Sequence, residues 1–208
     1  MVPAPTTTTA PTTTTESISA PTFEGSIEDV DSDRLGHSWH PGCPVEPENL
    51  DLVTLTYLGF DEDIHSGEIV VHGEHSRAVM AAFESMFDNQ YPIESIIPIG
   101  DLPIGIEDDD PEYSNTSGFH CRKVAGTDRW SQHSFGLAID LNPHLNPFVS
   151  DNVIWPSGSE RYTDRGLDEP GMITEGDAVT TAFDSIGWSW GGRWVSVKDY
   201  QHFSSNGR

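Results

Sequence analysis

The sequence predicts a fold that mixes strands with amphipathic helices, on the basis of a β-hairpin and a strongly periodic helical segment. Residues 52–57 alternate along the chain, and residues 68–71 form a second β-prone run after a glycine-containing turn. Two such runs joined by a turn predict an antiparallel hairpin. Residues 74–88 carry apolar side chains at helical spacing, which predicts a helix with one core-facing side. These apolar residues are Ala78, Val79, Ala82, Phe83, Met86 and Phe87.

Three further elements complete this prediction. Residues 93–99 are a short apolar run that predicts a strand. Residues 137–141 alternate, so a strand there would bury three aliphatic side chains and turn Ala138 and Asp140 to the opposite face. Residues 174–187 begin with a capping pattern and end at a glycine, which predicts a second helix.

The chain divides into an N-terminal linker or stalk, residues 1–34, and one domain, residues 35–208. The linker is rich in proline, threonine and acidic residues and lacks the apolar side chains that a core requires. The remaining length is that of an ordinary single domain. No apolar run reaches the roughly eighteen residues of a membrane span, and the start of the chain lacks the basic and apolar regions of a secretion signal.

The net charge argues against nucleic acid as a partner. The chain has 34 acidic and 10 basic residues, for a formal charge of -24, and the basic residues do not form a cluster. Binding to phosphate backbones requires clustered positive charge. We interpret the acidity as a means of keeping a secreted or salt-exposed protein soluble through self-repulsion.

Cys43 and Cys121 are the only cysteines in the sequence. An even pair in an extracellular chain predicts one disulfide that closes a long loop. Two separate buried thiols are the structural alternative. A third interpretation, Cys121 as a nucleophile, is weak because a metal site accounts for the nearby histidine.

An acidic loop, residues 107–110, lies between prolines. Carboxylates are the ligands that calcium prefers, so a calcium site there is conceivable. A solvated loop in a very acidic protein needs no ligand, and we favour that interpretation.

The residues with the strongest chemical signal are His133, Asp140 and His202. Two imidazoles and a carboxylate form a three-ligand set for Zn²⁺ that leaves a fourth position for water. Asp199 precedes the last ligand by three residues, a spacing that fits a 3₁₀ or tight helical turn. Asp199 is therefore the predicted general base, and the alternative is that it orients His202 by a hydrogen bond.

The motifs around these residues resemble the zinc D-alanyl-D-alanine carboxypeptidases and L-alanyl-D-glutamate endopeptidases of the VanY-like group, the LAS-type metallopeptidases. The resemblance covers roughly residues 36–204 and rests on two motifs in this order. The motifs are Ser131-x-His133-x-x-Gly136-x-Ala138-x-Asp140 and Asp199-x-x-His202-Phe203. The resemblance implies a compact α+β domain with a central antiparallel sheet flanked by helices, a fold like that of hedgehog signalling domains.

The resemblance also implies roles for individual residues. By position, His133, Asp140 and His202 match the zinc ligands and Asp199 matches the catalytic acid/base. Ser131 matches a substrate-binding serine. Arg122 is the best match for an arginine that stabilises the substrate carbonyl oxygen as it becomes an oxyanion.

These assignments predict a zinc peptidase that cuts the stem peptide of peptidoglycan, as a carboxypeptidase or an endopeptidase, by attack of a zinc-bound water that Asp199 activates. The expected protein is a monomer that is secreted or in the cell envelope, and a phage lysis protein is a further possibility. The alternative is a non-catalytic cell-wall or protein-binding module with the same fold. Of the other histidines, the His72/His75 pair has metal-like spacing without a third ligand nearby, so we expect no site there.

Overall fold

The structure, a computed structural model, describes residues 21–106 and 113–208. The proline- and threonine-rich tract, residues 1–20, and the acidic loop, residues 107–110, lie outside the described residues. The calcium interpretation of that loop therefore stays a hypothesis. In the described part of the chain, no helix is both long and apolar enough to cross a membrane.

The largest sheet contains the predicted hairpin. Strand β1 (Gly25–Asp29) pairs with β2 (Leu50–Leu58), and β2 pairs with β3 (Ile64–His72), all antiparallel. The β2–β3 register runs from Leu50 opposite His72 to Leu58 opposite Ile64. We call these three strands the hairpin sheet. The hairpin prediction is confirmed by this pairing, and both faces of the hairpin are buried: Val53 and Ile69 lie in one core, and Leu52 and Val70 lie in a second core on the opposite face.

Regular structure occurs earlier in the described part of the chain than the sequence predicted. Strand β1 lies inside the segment that was assigned to the linker, and the short helix α1 (Ser32–Leu35) follows it, capped by the Asp31 carboxylate. Strand β1 is an edge strand and mostly exposed, so it contributes backbone hydrogen bonds rather than apolar side chains. Strand β1 therefore lacks the pattern of apolar side chains from which the start of the domain was predicted near residue 34.

One helix packs against the hairpin sheet, and a second helix packs against the first. Helix α2 (Ser76–Asp88) and helix α3 (Ala178–Ser185) confirm the two helix predictions, and Asp177 caps α3 by accepting a hydrogen bond from the Thr180 amide at 2.7 Å. Their inward faces form the main core with the sheet. Its largest fully buried members include Phe83, Met86, Phe183, Trp188, Phe203 and Ile69.

Two smaller sheets lie in the C-terminal half, and we call them the site sheets. Strands β4 (Ala138–Asp140), β9 (His202–Ser204) and β7 (Ser189–Trp190) form one, in that order. Strands β6 (Ile154–Trp155), β5 (Phe148–Val149) and β8 (Lys198–Asp199) form the other. The fold is therefore α+β, as predicted, with three small antiparallel sheets in place of one central sheet. Strands of two or three residues are too short to extend the hairpin sheet.

Residues 93–99 do not form the predicted strand. Only isolated bridges occur near them, Leu58 with Pro92 and Ile96 with Thr116, and a 3₁₀ turn begins at Ile99. Pro92 directly before this run and Pro98 within it each lack a backbone N–H donor, so a regular ladder cannot form there.

The predicted disulfide is present between Cys43 and Cys121, whose Cα atoms are 5.8 Å apart. Both cysteines lie in a second, smaller core with Leu35, Leu50 and Phe119. The alternatives of two separate thiols and of Cys121 as a nucleophile are excluded for this state of the chain. The bridge joins the loop after α1 to the segment that approaches the candidate site.

Candidate metal centre

Three buried side chains converge where β4 meets β9. The His133 Nε2 atom lies 3.1 Å from Asp140 Oδ2, and the His202 Nδ1 atom lies 2.9 Å from Asp140 Oδ1. The two imidazole nitrogens are 3.3 Å apart. One ligand-capable atom of each residue lies within 4.8 Å of the others. We call His133, Asp140 and His202 the His–Asp–His cluster.

Local backbone geometry orients His133 toward the cluster. His133 lies in a 3₁₀ turn, Gln132–Phe135, that Ser131 caps and that ends at Gly136 with a φ of 67°. A Cβ atom at Gly136 would lie 2.5 Å from the His72 backbone nitrogen, so only glycine permits this approach to β3. The His133 Nδ1 atom donates a 2.6 Å hydrogen bond to the Gly118 carbonyl. That bond leaves the Nε2 lone pair free to bind a cation.

Strand pairing sets the other two members of the cluster. Asp140 on β4 is directly opposite His202 on β9, and Asp140 is only 5% exposed. Burial alone would raise the pKa of Asp140, yet the imidazoles of His133 and His202 hold it well below its usual range. For His202 the sign is opposite: burial alone would lower the pKa of its imidazole. The Asp140 carboxylate more than offsets this effect, so the pKa of His202 is raised. The cluster therefore favours positive charge, as a cation site requires.

Asp199 lies beside this cluster at the end of β8. Its side chain is partly buried, and its Oδ1 atom is inaccessible and has no hydrogen-bond partner among the described residues. Burial raises the pKa of Asp199 to about 6, and the Asp140 charge adds to the effect. A carboxylate of this kind is suited to take up and release a proton near neutral pH.

The expected 3₁₀ or helical turn between Asp199 and His202 is wrong. Asp199 ends a strand of one site sheet and His202 begins a strand of the other, with a two-residue bend between them. Gly191 makes this close packing possible. A Cβ atom there would lie 2.6 Å from the Asp199 carbonyl oxygen and 3.3 Å from the His202 Cβ atom.

Ser131 and Arg122 lie next to the His133 turn. The Ser131 hydroxyl accepts a 3.3 Å hydrogen bond from the His133 amide, and the Ser131 amide donates to the Arg122 carbonyl at 3.1 Å. Ser134, which the sequence did not single out, donates to the same carbonyl at 2.6 Å and accepts from the Arg122 amide at 2.8 Å. The structure thus brings Arg122 and Ser131 together near the cluster, and their roles toward a substrate remain predictions.

Arg165 is a buried charge that sequence analysis missed. Its guanidinium donates to the Asn146 side chain at 2.7 Å and to the Ile173 carbonyl at 2.6 Å, and it lies 4.6 Å from the Tyr200 ring centre. It also donates to the Leu145 carbonyl. These contacts connect the segment after β4 to the bend between Asp199 and His202. No local pattern in the sequence marks such a residue, because its partners other than the Tyr162 carbonyl lie eight or more residues away along the chain.

Of the other histidines and tryptophans described next, only Trp194 lies against the His–Asp–His cluster. The His72 and His75 rings are 6.3 Å apart, and among the described residues no third ligand joins them. His144 lines a separate cleft of about 570 Å³, which none of the His–Asp–His cluster lines. Trp188 and Trp190 belong to the main core, whereas the Trp194 ring centre is 5.4 Å from that of His202.

Comparison with known proteins connects this geometry to one family. No solved structure matches the chain. The family model described as D-alanyl-D-alanine carboxypeptidase matches residues 125–205, a segment that contains the whole His–Asp–His cluster and Asp199 but not Arg122 or the disulfide. The resemblance that the motifs indicated is thus confirmed, and the chain over residues 125–205 is similar to a family of peptidases.

Proposed function

We propose that this chain is a zinc-dependent peptidase that hydrolyses a peptide bond in the stem peptide of peptidoglycan. The observation that carries the proposal is the convergence of the His–Asp–His cluster beside Asp199, whose Oδ1 atom has no hydrogen-bond partner within residues 21–106 and 113–208. That arrangement lies in the segment similar to D-alanyl-D-alanine carboxypeptidases. The bond cut is the terminal D-Ala-D-Ala bond or the L-Ala-D-Glu bond.

The donor set fits zinc. Two imidazole nitrogens and one carboxylate oxygen are ligands that zinc prefers, and three protein ligands are typical of catalytic rather than structural sites. The hydrogen bond from His133 to the Gly118 carbonyl is the kind of outer contact that metal-binding histidines use. When bound, zinc supplies a Lewis acid that lowers the pKa of a coordinated water to about 7 and polarises a carbonyl group.

The residues of the chain supply the proton transfers and the orientation. Asp199 accepts the proton of the attacking water at its carboxylate and delivers it to the leaving amine, since its carboxylate lies beside the cluster and burial raises its pKa to about 6. Arg122 stabilises the negative charge that develops on the substrate carbonyl oxygen. Ser131 binds the substrate, in addition to capping the turn that carries His133.

We infer the finer features of the protein from the same family resemblance. The arrangement of the elements is that of the hedgehog and DD-peptidase domains, and the catalytic domain includes strand β1 in addition to residues 35–208. The protein acts as a monomer outside the cell or in the cell envelope, where peptidoglycan is found. A host-lysis role in a phage is an alternative setting for the same reaction.

The test is hydrolysis of synthetic stem peptides by the zinc-loaded protein, with products identified by mass. Release of D-alanine would assign a carboxypeptidase, and cleavage after L-alanine would assign an endopeptidase. The variant Asp199→Asn should keep its zinc and lose roughly 10²–10⁴-fold in rate. The exposed Asp151→Asn is the matched control and should be unaffected. Binding of stem peptides without cleavage of any bond would instead support a non-catalytic module and refute the peptidase.

A further inference from the structure

A second cluster of metal-ligating atoms surrounds the disulfide. The His40 Nε2 atom lies 3.5 Å from Cys121 Sγ, and one ligand-capable atom each of His40, Cys43 and Cys121 lies within 4.8 Å of the others. We call these residues the His–Cys–Cys cluster. None of its atoms is shared with the His–Asp–His cluster, so the inference below is independent of the proposed function.

The ring of His40 is oriented as a ligand rather than as a donor. Its Nδ1 atom contacts the Pro41 carbonyl oxygen at 3.0 Å, which assigns the proton to Nδ1. The Nε2 lone pair therefore faces the Cys121 sulfur. A carbonyl on the other ring nitrogen is a common outer contact of metal-binding histidines.

The backbone around Cys43 is arranged to stabilise a thiolate. The His40 amide donates a hydrogen bond to Cys43 Sγ at 3.3 Å, and the Cys43 amide closes the turn on the His40 carbonyl at 3.1 Å. A donor directed at sulfur favours its ionised form. The spacing of two residues between His40 and Cys43 is also within the range of paired ligands in structural zinc sites.

We propose that the His–Cys–Cys cluster is a redox-dependent zinc site, closed by the disulfide when oxidised and by zinc when reduced. With a phosphine as reductant, phosphorus gives two electrons to the sulfur–sulfur bond and becomes the phosphine oxide. Water supplies the oxygen atom and the two protons that the sulfurs take up. Zinc then displaces those two protons from the thiols into solvent and binds the resulting thiolates and His40 Nε2. Solvent can reach the fourth position because His40 is exposed.

This exchange would preserve a connection that the His–Asp–His cluster depends on. The segment around Cys121 supplies the Gly118 carbonyl that orients His133, and the His120 amide donates to the His133 carbonyl at 3.1 Å. The disulfide in the oxidised chain and the metal in the reduced chain would both join Cys121 to the loop that contains His40 and Cys43. Zinc should therefore restore the thermal stability that reduction removes.

The experiment titrates Co²⁺ into the full chain carrying Asp140→Ala, which disables the His–Asp–His cluster. After phosphine reduction we expect one equivalent of Co²⁺ with a thiolate-to-cobalt charge-transfer absorption, and none in the oxidised protein. His40→Ala should weaken binding by roughly tenfold or more. His37→Ala, an exposed histidine on the preceding turn, is the control and should bind as the parent does.

Two results would overturn the proposal. One is the lack of this absorption in the reduced, folded chain, with folding checked by near-ultraviolet circular dichroism. The other is an equal affinity for Co²⁺ in the His40→Ala variant or in the urea-unfolded reduced chain. Either result would mean that Co²⁺ binds two thiols that the fold does not arrange as a site. A higher affinity in the folded chain that depends on His40 would establish it.

Discussion

In the hairpin sheet, the nine-residue strands β2 and β3 pair along their whole length, whereas strands of the two site sheets are only two or three residues long. The hairpin sheet derives its order from repeated backbone bonds and a continuous apolar face. The site sheets depend on individual contacts in the surrounding loops, such as those of Ser134 with the Arg122 backbone and of Arg165 with residues 145–146 and Ile173.

This difference separates stability from chemistry. Burial of a repeated apolar face contributes most of the folding free energy, and loss of one core group affects the whole domain. The positions of the His–Asp–His cluster and Asp199 depend instead on a few close approaches. Changes in the two regions should therefore give different readouts.

Removal of a proposed metal ligand should have the largest effect. Asp140→Ala leaves only two imidazoles in the cluster, and we expect zinc content to fall from one equivalent to none and hydrolysis to fall to background. Metal analysis after dialysis and a peptide assay measure both. Glu84→Ala, on the exposed face of α2, is the matched control and should change neither. Full zinc retention in Asp140→Ala would remove this carboxylate from the ligand set.

A core truncation in the scaffold should act on stability alone. Phe83 is 2% exposed between α2 and the hairpin sheet, and Phe83→Ala should lower the free energy of unfolding by about 3–5 kcal/mol. Urea unfolding measures this loss. At a temperature where the variant is folded, its kcat should equal that of the wild type. A kcat that fell with stability would show that the two regions are not separable.

A single added methyl group next to the site sheets should lower activity rather than stability. The Cβ atom of Gly191→Ala would lie 2.9 Å from the Asp199 Cβ atom, so Asp199 must move. Displacement of a catalytic group by about 1 Å costs roughly 10²-fold in rate. We expect that loss in kcat with zinc content unchanged. Gly166→Ala, in an exposed loop, serves as the control, and equal rates for the two variants would argue against tight positioning of Asp199.

The metal-free protein should reveal the cost of burying Asp199. Because its pKa in the folded state is raised to about 6, its ionisation destabilises the fold as the pH rises from about 4 through 6. Asp199→Asn should therefore increase the free energy of unfolding of the chelated protein by about 1–3 kcal/mol above pH 7. At pH 4 the two proteins should unfold alike. A constant difference at all pH values would point to packing rather than charge.

The smallest effect is expected on the surface beside α3. Arg193 forms ion pairs with Glu175 and Asp184, and its hydrogen bonds lower the pKa of both carboxyl groups. All three side chains are about a third or more exposed, so Arg193→Ala should cost less than about 1 kcal/mol. The loss should disappear in high salt and as the pH falls below about 4. Persistence in 1 M salt would indicate a packing role for the arginine stem.

Local pattern was sufficient for part of the fold. The hairpin and both helices repeat their signal over several turns or residue pairs, so the sequence alone predicted them. Strand β1 and the run at residues 93–99 were missed or misassigned for opposite reasons. The first is an edge strand with little apolar character, and the second is apolar but follows one proline and contains another.

The sequence by itself determined which residues are available for chemistry. The identities and order of His133, Asp140, Asp199 and His202 are written in two short motifs, and the cysteine count implied one bridge. Their residue types restrict the chemistry to proton transfer and cation binding.

Only the tertiary structure decided how those residues meet. Asp140 faces His202 because β4 pairs with β9, and Asp199 reaches the cluster from a strand of another sheet through a bend that Gly191 permits. Ser134 contacts the Arg122 backbone, and Arg165 contacts Leu145 and Asn146, all more than ten residues away along the chain. Such contacts have no local signal, because they depend on which distant backbone groups the packing of the whole chain brings within hydrogen-bond distance.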